Sequence, residues 1–250
     1  MSRILLAGEQ VTGLAFEIKG FDFFGVSSFK KDGDALIRAL RDRGHEVTWL
    51  ETCRVPEEFP ETIESLHEYD VIVLSDVGSN SLLFHPEVLA KSLPHPNRLK
   101  LLREYVRDGG GLAMIGGWMS FAGIDGKARY HGTPVEEALP VLCSPYDDRQ
   151  EKPEGVTLTI AEPTHPILQR LPTQWPFFLG YNRLRSKPDA TTILKLDDDP
   201  LLSVGSFGRG RTAAFTSDCA PHWGSKAFLD WEGYAPFWNN LVRWLAMEIE

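Results

Sequence analysis

Three acidic residues and one histidine stand where catalytic groups of an α/β protein are commonly found. Glu9, Asp76 and Asp218 each follow a short apolar run, and His222 lies four residues beyond Asp218. Short apolar runs of this kind are typical of buried strands in a parallel sheet, whose carboxyl ends meet at one edge. We therefore expect the four side chains to face one crevice. Such a group could transfer protons, hold the hydroxyl groups of a sugar or bind a cation.

Each of these residues also has a structural interpretation. Asp76 could hydrogen-bond its own loop, as in an Asx turn, and Glu9 could cap a loop or a helix. His222 follows Pro221, which restricts its loop, and fits a functional or a structural role equally well. Three acids at one edge of the sheet favour the functional interpretation.

The segment Asp218-Cys-Ala-Pro-His222 places a carboxylate, a thiol and an imidazole within five residues. This combination occurs in metal sites and around cysteine nucleophiles. Cys-x-x-His supplies only two ligands, so a divalent metal would need partners from elsewhere, such as the loop residues His85, His95, His131 and His165. The sequence indicates no certain cofactor and leaves a divalent metal open. The simpler interpretation of Cys219 is a small buried thiol.

A glycine-rich stretch, residues 109–121, predicts the end of a helix, a buried strand and a sharp turn at Gly116-Gly117. The turn could present backbone N–H groups to an anion or a carbonyl, which makes both glycines candidate ligand-binding residues. Trp118 and Trp223 lie in loops flanked by glycine or proline, and we expect them to contact a ligand or a subunit interface.

The elements that must position these residues alternate along the chain. Strands are predicted at 3–7, 45–50, 71–74 and 112–115, and helices at 32–43, 61–68, 97–107 and 133–138. This order predicts right-handed βαβ units and a parallel sheet. Residues 156–160 alternate like an exposed strand. Strands at 191–196, 201–207 and 211–216 follow, separated by tight turns, which indicates an added antiparallel hairpin or meander. A helix at 233–247 closes the chain. Residues 10–29 lack helical periodicity and are rich in phenylalanine, so we predict a long loop that either covers the sheet edge or serves the site.

Composition limits the class of protein. The 250 residues carry a net charge of −9, which disfavours a broad nucleic-acid surface. The apolar runs are too short for a membrane span or a signal-peptide core. Three scattered cysteines fit free thiols in a reducing compartment, so we expect a cytoplasmic protein. No repeat, low-complexity run or linker divides the sequence, and we expect one domain spanning residues 1–250.

Several stretches together resemble the class I glutamine amidotransferase-like superfold, and more closely the family labelled "putative glutamine amidotransferase", related to trehalose-utilisation, ThuA-like proteins. They include Leu5-Leu-Ala-Gly-Glu9, the run from Tyr69 to Asn80, Gly109 to Gly117, Gly208 to Asp218 and Ala220-Pro-His-Trp223. The resemblance implies a flavodoxin-like, doubly wound, mainly parallel sheet with helices on both faces.

The sequence departs from the amidotransferase pattern at the catalytic positions. A class I amidotransferase needs a cysteine at the strand-to-helix elbow, and a histidine with a carboxylate after a later strand. The elbow here is Met114-Ile-Gly-Gly-Trp-Met119, without cysteine, and the later strand ends Phe215-Thr-Ser-Asp218. Glutamine hydrolysis by that mechanism is therefore not expected.

We expect instead a crevice that binds a small polar ligand, carbohydrate-derived if the trehalose-utilisation resemblance extends to function, with acid–base or metal-assisted chemistry. One alternative is a non-catalytic ligand-binding or homo-oligomeric assembly protein. Another is an active amidotransferase with a displaced nucleophile. A homo-oligomer is expected in each case, with no nucleic-acid or membrane partner.

Overall fold

The apolar runs form the centre of an eight-stranded sheet in the computed structural model, which describes residues 1–250. In chain order the strands are β1 Arg3–Gly8, β2 Gln10–Lys19, β3 Asp22–Lys31, β4 Glu46–Leu50, β5 Val71–Ser75, β6 Gly111–Ile115, β7 Val141–Leu142, β8 Arg149–Val156, β9 Leu158–Ile160, β10 Phe178–Asn182, β11 Arg185–Ser186, β12 Thr191–Leu196, β13 Asp199–Phe207 and β14 Gly210–Phe215. The large sheet has the order β4-β1-β5-β6-β14-β13-β12-β9.

The first five strands of that order are parallel, and the last three continue the sheet in antiparallel fashion. This confirms the predicted mainly parallel α/β sheet with an antiparallel addition. Every residue of β5 and β6 is buried. Helices cover both faces of these central strands, which is why they read as continuous apolar runs rather than as alternating ones.

The helices are α1 Asp34–Arg41, α2 Val55–Glu58, α3 Ile63–Leu66, α4 Ser79–Leu83, α5 Pro86–Lys91, α6 Arg98–Arg107, α7 Pro134–Ala138, α8 Lys226–Leu229 and α9 Tyr234–Leu245. Alternate residues of β1 enter different cores. Ile4 and Leu6 pack on the face covered by α1 and α9, whereas Leu5 and Ala7 pack on the face covered by α6 and α7. The predicted helices on both faces are therefore present. No helix is both long and apolar enough to cross a membrane.

The prediction of a long loop at residues 10–29 was wrong. This segment forms β2 and β3, an antiparallel ribbon of ten residue pairs joined by a tight turn at Gly20-Phe21. Gly20 has φ +64, a conformation that glycine adopts without strain. The ribbon is a two-stranded sheet of its own and pairs with no strand of the large sheet. Its inner end begins directly after Glu9.

Two further antiparallel pairs lie outside the large sheet. β8 pairs with β10, and β7 pairs with β11. The β8–β10 pair brings Glu151 and Asn182 toward the carboxyl ends of the parallel strands, where each contacts residues that follow β6.

Candidate functional site

The carboxyl ends of β1, β5, β6 and β14 meet at one edge of the sheet, beside a cavity of about 290 Å³. Five of the side chains selected from the sequence line this cavity: Glu9, Asp76, Trp118, Asp218 and His222. The parallel topology thus brings together residues more than two hundred positions apart in the chain. Val11, Lys30, Asp32, Ala220 and Pro221 complete the lining.

Three of the lining residues have an unusual backbone conformation. Glu9 has φ 56, Asp76 has φ 46 and His222 has φ 116, all outside the regions that non-glycine residues favour. Such conformations cost of order 1–3 kcal/mol each and cluster at functional sites. At Glu9 the conformation is fixed by two backbone hydrogen bonds. Its N–H donates to the Ser75 carbonyl at 3.1 Å, and its carbonyl accepts from the Asp32 N–H at 3.0 Å.

Glu9 is the deepest of the acids, with 3% of its surface exposed. Its Oε1 accepts hydrogen bonds from the Ser75 hydroxyl and from the Cys219 thiol, whose Sγ lies at 3.6 Å. Burial and then the charge of Asp76 raise the pKa of Glu9 from 4.5 to about 8, although its two hydrogen bonds act in the opposite direction. Glu9 therefore carries a proton at neutral pH.

Asp218 is also buried, and its Oδ1 accepts the Ala220 N–H at 2.8 Å. Burial raises the pKa of Asp218 well above its ordinary value, and repulsion from Glu9 and Asp76 raises it further. Two buried carboxyl groups whose oxygens lie within 4.8 Å do not both ionise readily, so a charge on one disfavours a charge on the other.

Asp76 is the least buried of the three acids. Its Oδ1 accepts the Met119 N–H at 2.6 Å, and its own N–H donates to the Ser120 hydroxyl at 3.1 Å. Burial raises the pKa of Asp76, whereas the Met119 hydrogen bond and the nearby His222 lower it. Asp76 thereby joins the end of β5 to the turn after β6, and its loop contacts agree with the structural interpretation as well as the functional one.

The three acids share one feature. Each has one carboxyl oxygen held by the protein, while the other receives no hydrogen bond from any protein group, namely Glu9 Oε2, Asp76 Oδ2 and Asp218 Oδ2. None of these three oxygens is completely buried. Because the three side chains line the cavity, we infer that the oxygens are accessible from it. The cavity therefore presents three carboxyl oxygens that have no protein partner to a ligand.

The structure corrects the role expected for Gly116 and Gly117. The Gly116 N–H donates to the Phe215 carbonyl at 2.7 Å, and the Gly117 N–H donates to Asn182 Oδ1 at 3.1 Å. Neither N–H is left for a ligand, and neither residue lines the cavity. The glycines are required by close packing instead, since a Cβ on Gly117 would lie 2.7 Å from Asp76 Oδ1.

Trp118 and Trp223 are held by one carboxylate that sequence reasoning missed. Glu151 accepts the Trp118 indole N–H at 3.1 Å and the Trp223 indole N–H at 2.9 Å. Its Oε2 also lies 3.5 Å from His222 Nε2. The Trp118 ring is half-exposed at the cavity and meets the His222 ring edge-on, with 5.1 Å between centroids. Trp223 is fully buried behind the rim and does not line the cavity, contrary to the expected ligand contact.

Two buried side chains, Asp148 and Asn182, also could not be identified from the sequence, and they support the elbow. Asn182 Nδ2 donates to Asp148 Oδ1 at 2.8 Å, and the Asp148 carboxylate accepts the N–H groups of Ala122 and Gly123 at 3.0 and 2.9 Å. The loop after Gly117 is thus fixed by side chains from β10 and from the residue before β8. No local pattern marks Asp148 or Asn182, because their partners are distant in the chain.

Three side chains beside the cavity carry atoms that could bind a metal ion. Ligand atoms of Glu9, Asp218 and Cys219 lie within 4.8 Å of one another. Burial, followed by the charges of Glu9 and Asp218, raises the pKa of the Cys219 thiol well above its ordinary value. A protonated thiol is a poor ligand, so the cluster offers two good donors rather than the four of a structural zinc site. None of the loop residues His85, His95, His131 and His165 lines the cavity.

Known proteins share the sequence pattern and the fold of this chain. A family model described as "Putative glutamine amidotransferase" matches residues 3–247. The chain is 40% identical to the cytoplasmic protein STM3548 from Salmonella typhimurium, covering 97% of this chain and 98% of that one with a TM-score of 0.93. It is also 40% identical to the cytoplasmic protein STM1381 from Salmonella typhimurium LT2, covering 97% and 99% with a TM-score of 0.93.

More distant similarity concerns the fold alone. A putative ThuA-like protein from Parabacteroides merdae is 14% identical, with 99% of this chain and 90% of that one covered and a TM-score of 0.59. No curated protein matches the chain.

Proposed function

The chain belongs to the family described as "Putative glutamine amidotransferase", and we propose that it is an enzyme which binds a small, hydroxyl-rich ligand and transfers protons to and from it. One observation carries the proposal: three carboxyl groups from separate strands converge on one cavity, and each keeps one oxygen without a protein donor. By analogy with the two similar Salmonella proteins, we propose a cytoplasmic location.

The lining of the cavity supports a polar ligand with several hydroxyl groups. The free oxygens of the ionised acids would accept hydrogen bonds from such hydroxyls, and the protonated Glu9 would donate one to a hydroxyl oxygen. The half-exposed Trp118 ring offers an apolar platform of the kind that stacks against a sugar ring. Lys30 adds a positively charged donor to the lining of the cavity. A volume of about 290 Å³ admits a molecule of monosaccharide size.

Proton transfer follows from the different surroundings of the acids. Glu9, with a pKa raised to about 8, would act as the general acid because it is protonated at neutral pH. Asp76 would act as the base, because it is the least buried of the three acids and because the Met119 N–H and His222 oppose the rise in its pKa that burial causes. A pair of acids with different environments is the usual basis of such a division of roles.

The same surroundings argue against an amidotransferase with a displaced nucleophile. Burial raises the pKa of the Cys143 and Cys219 thiols well above the ordinary value, so neither forms a thiolate readily. Cys53 is exposed and does not line the cavity. Cys219 instead fits the interpretation as a small buried thiol that donates to Glu9.

A divalent metal is a second candidate for the cavity, favoured by carboxyl oxygens of Glu9 and Asp218 that lie within 4.8 Å of one another. A cation would stabilise the ionised form of both acids, whose pKa values are raised by burial and by nearby negative charges. Metal-assisted chemistry would then replace proton donation by Glu9. The activity would depend on added metal in this case, and it would not in the case of proton donation by Glu9.

Thermal unfolding with a panel of sugars, polyols, sugar acids and divalent metal salts tests the proposal. A ligand at a hundredfold excess over its dissociation constant should stabilise the folded protein by about 2.7 kcal/mol. Asp218→Asn should abolish that stabilisation, and Asp189→Asn, which alters an exposed aspartate elsewhere, should retain it. If no compound or metal raises the melting temperature, the ligand-binding proposal is wrong.

A further inference from the structure

The ribbon formed by β2 and β3, residues 10–31, carries an apolar face that no part of the chain covers. We call this ribbon the arm. Alternation along each strand places one set of large side chains on the same face: Leu14, Phe16, Ile18, Phe23 and Phe29. Their exposed fractions are 73, 66, 74, 65 and 52% respectively. We propose that the arm is a dimerisation element, and that this apolar face packs against the same face of a second copy of the chain.

The arm needs such a partner for its own stability. It pairs with no strand of the large sheet, and a two-stranded ribbon is marginally stable by itself in water. Within the arm, the main apolar contact is the stacking of Phe16 on Phe23, with 5.4 Å between ring centroids. Its inner end is anchored, since Val11 and Lys30 line the cavity, but its outer part projects from the body.

The size of the face fits a dimer contact. At about 200 Å² for a phenylalanine side chain and somewhat less for leucine and isoleucine, the exposed fractions leave roughly 600 Å² of apolar surface on each arm. Monomeric proteins rarely expose a larger contiguous apolar patch. Two such faces in contact would bury roughly 1,200 Å², the lower end of the range for specific, stable interfaces.

The chemistry of the face favours a second copy over other occupants. Lys31 is its only charged residue, and this lysine already pairs with Glu51 at 2.5 Å, so face-to-face packing buries no unpaired charge. The same patch on both molecules is self-complementary, as a two-fold interface requires. A lipid surface is disfavoured because the opposite face mixes acids with lysines and the whole chain carries a net charge of −9.

Sedimentation equilibrium over a wide range of protein concentration tests this inference. The wild-type chain should have twice its monomer mass of 28.1 kDa. The double variant Phe16→Ser/Ile18→Ser should sediment as a monomer. Because both residues lie outside the hydrophobic cores, the variant should keep the near-ultraviolet circular dichroism of the folded protein. Leu89→Ser is the matched control, since Leu89 is 74% exposed on α5, and it should remain a dimer.

A monomeric wild-type protein at all concentrations would overturn the inference, as would an oligomer of any size that survives the double substitution. Flotation with vesicles of phosphatidylcholine and phosphatidylglycerol distinguishes the other occupant. If the wild-type monomer binds vesicles and the double variant does not, the arm contacts lipid and the dimer proposal is wrong.

Discussion

Replacing Glu9 with glutamine should stabilise the folded protein near neutral pH, although this residue lies at the centre of the proposed site. The pKa of Glu9 is raised from 4.5 to about 8 in the folded state, chiefly by burial. The unfolded chain releases this proton above about pH 4.5 whereas the folded protein keeps it, so the wild-type protein loses stability as the pH rises from 4.5 to 8.

The magnitude follows from the size of that displacement. One pKa unit corresponds to about 1.4 kcal/mol, so the loss is about 3 kcal/mol at pH 7 and about 5 kcal/mol above pH 8. Glutamine keeps the shape of the side chain and an oxygen that can accept from Ser75, but it has no charge to bury. Glu9→Gln should therefore be as stable as the wild type below pH 4.5 and more stable by these amounts at higher pH.

Urea unfolding of both proteins at a series of pH values measures the difference in the free energy of unfolding. At neutral pH, the expected gain corresponds to a rise of roughly 6 to 12 °C in melting temperature for a chain of this length. Glu154→Gln, which alters an exposed glutamate on β8, should show no such pH-dependent gain. If Glu9→Gln is no more stable than the wild type at pH 8, the assignment of Glu9 as a buried, protonated acid is refuted.

Three further predictions concern the same edge of the sheet. Once a substrate is found, kcat/KM should fall as the pH rises through about 8 because Glu9 loses its proton, and a pH–rate profile that is flat there would contradict its role as the acid. Trp118→Ala should weaken ligand binding, measured by calorimetry, with little change in stability. Trp223→Ala should instead lower the free energy of unfolding, measured with urea, by about 3–5 kcal/mol, because that side chain is fully buried. Gly117→Ala should destabilise the protein by about 1–3 kcal/mol and abolish ligand binding, because the new Cβ would lie 2.7 Å from Asp76 Oδ1. A stable variant with normal binding would contradict this prediction.

The convergence of the acids could be predicted from the sequence because it depends only on strand direction. Glu9, Asp76 and Asp218 each follow an apolar run, and parallel strands bring the residues after such runs to one edge whatever the details of packing. The side chains that fix the rim could not be found in this way. Glu151 and Asn182 come from an antiparallel pair outside the large sheet, and nothing local to either residue indicates which strand end it will meet.

The arm was missed for a different reason. Leu14, Phe16 and Ile18 alternate with small or charged residues, which is the period of a strand. The consecutive Phe23-Phe24 pair and the glycines of the segment obscure that alternation on the second strand. The apolar residues of a strand are usually buried against the same chain. The apolar face of the arm is exposed, so a search for buried strands does not identify it.

The elbow after β6 lacks the cysteine on which glutamine hydrolysis by a class I amidotransferase depends. Gly116 and Gly117 have no side chain that could act as a nucleophile. Their N–H groups donate to the Phe215 carbonyl and to Asn182 Oδ1, so they are not available to bind an oxyanion. The close approach that the glycines permit has another effect, because it lets Asp76 reach the Met119 N–H and leaves its second oxygen at the cavity. The elbow thereby supports the carboxyl group of Asp76 at the cavity. Chemistry at this edge is expected to depend on protonated and ionised carboxyl groups rather than on a thiolate.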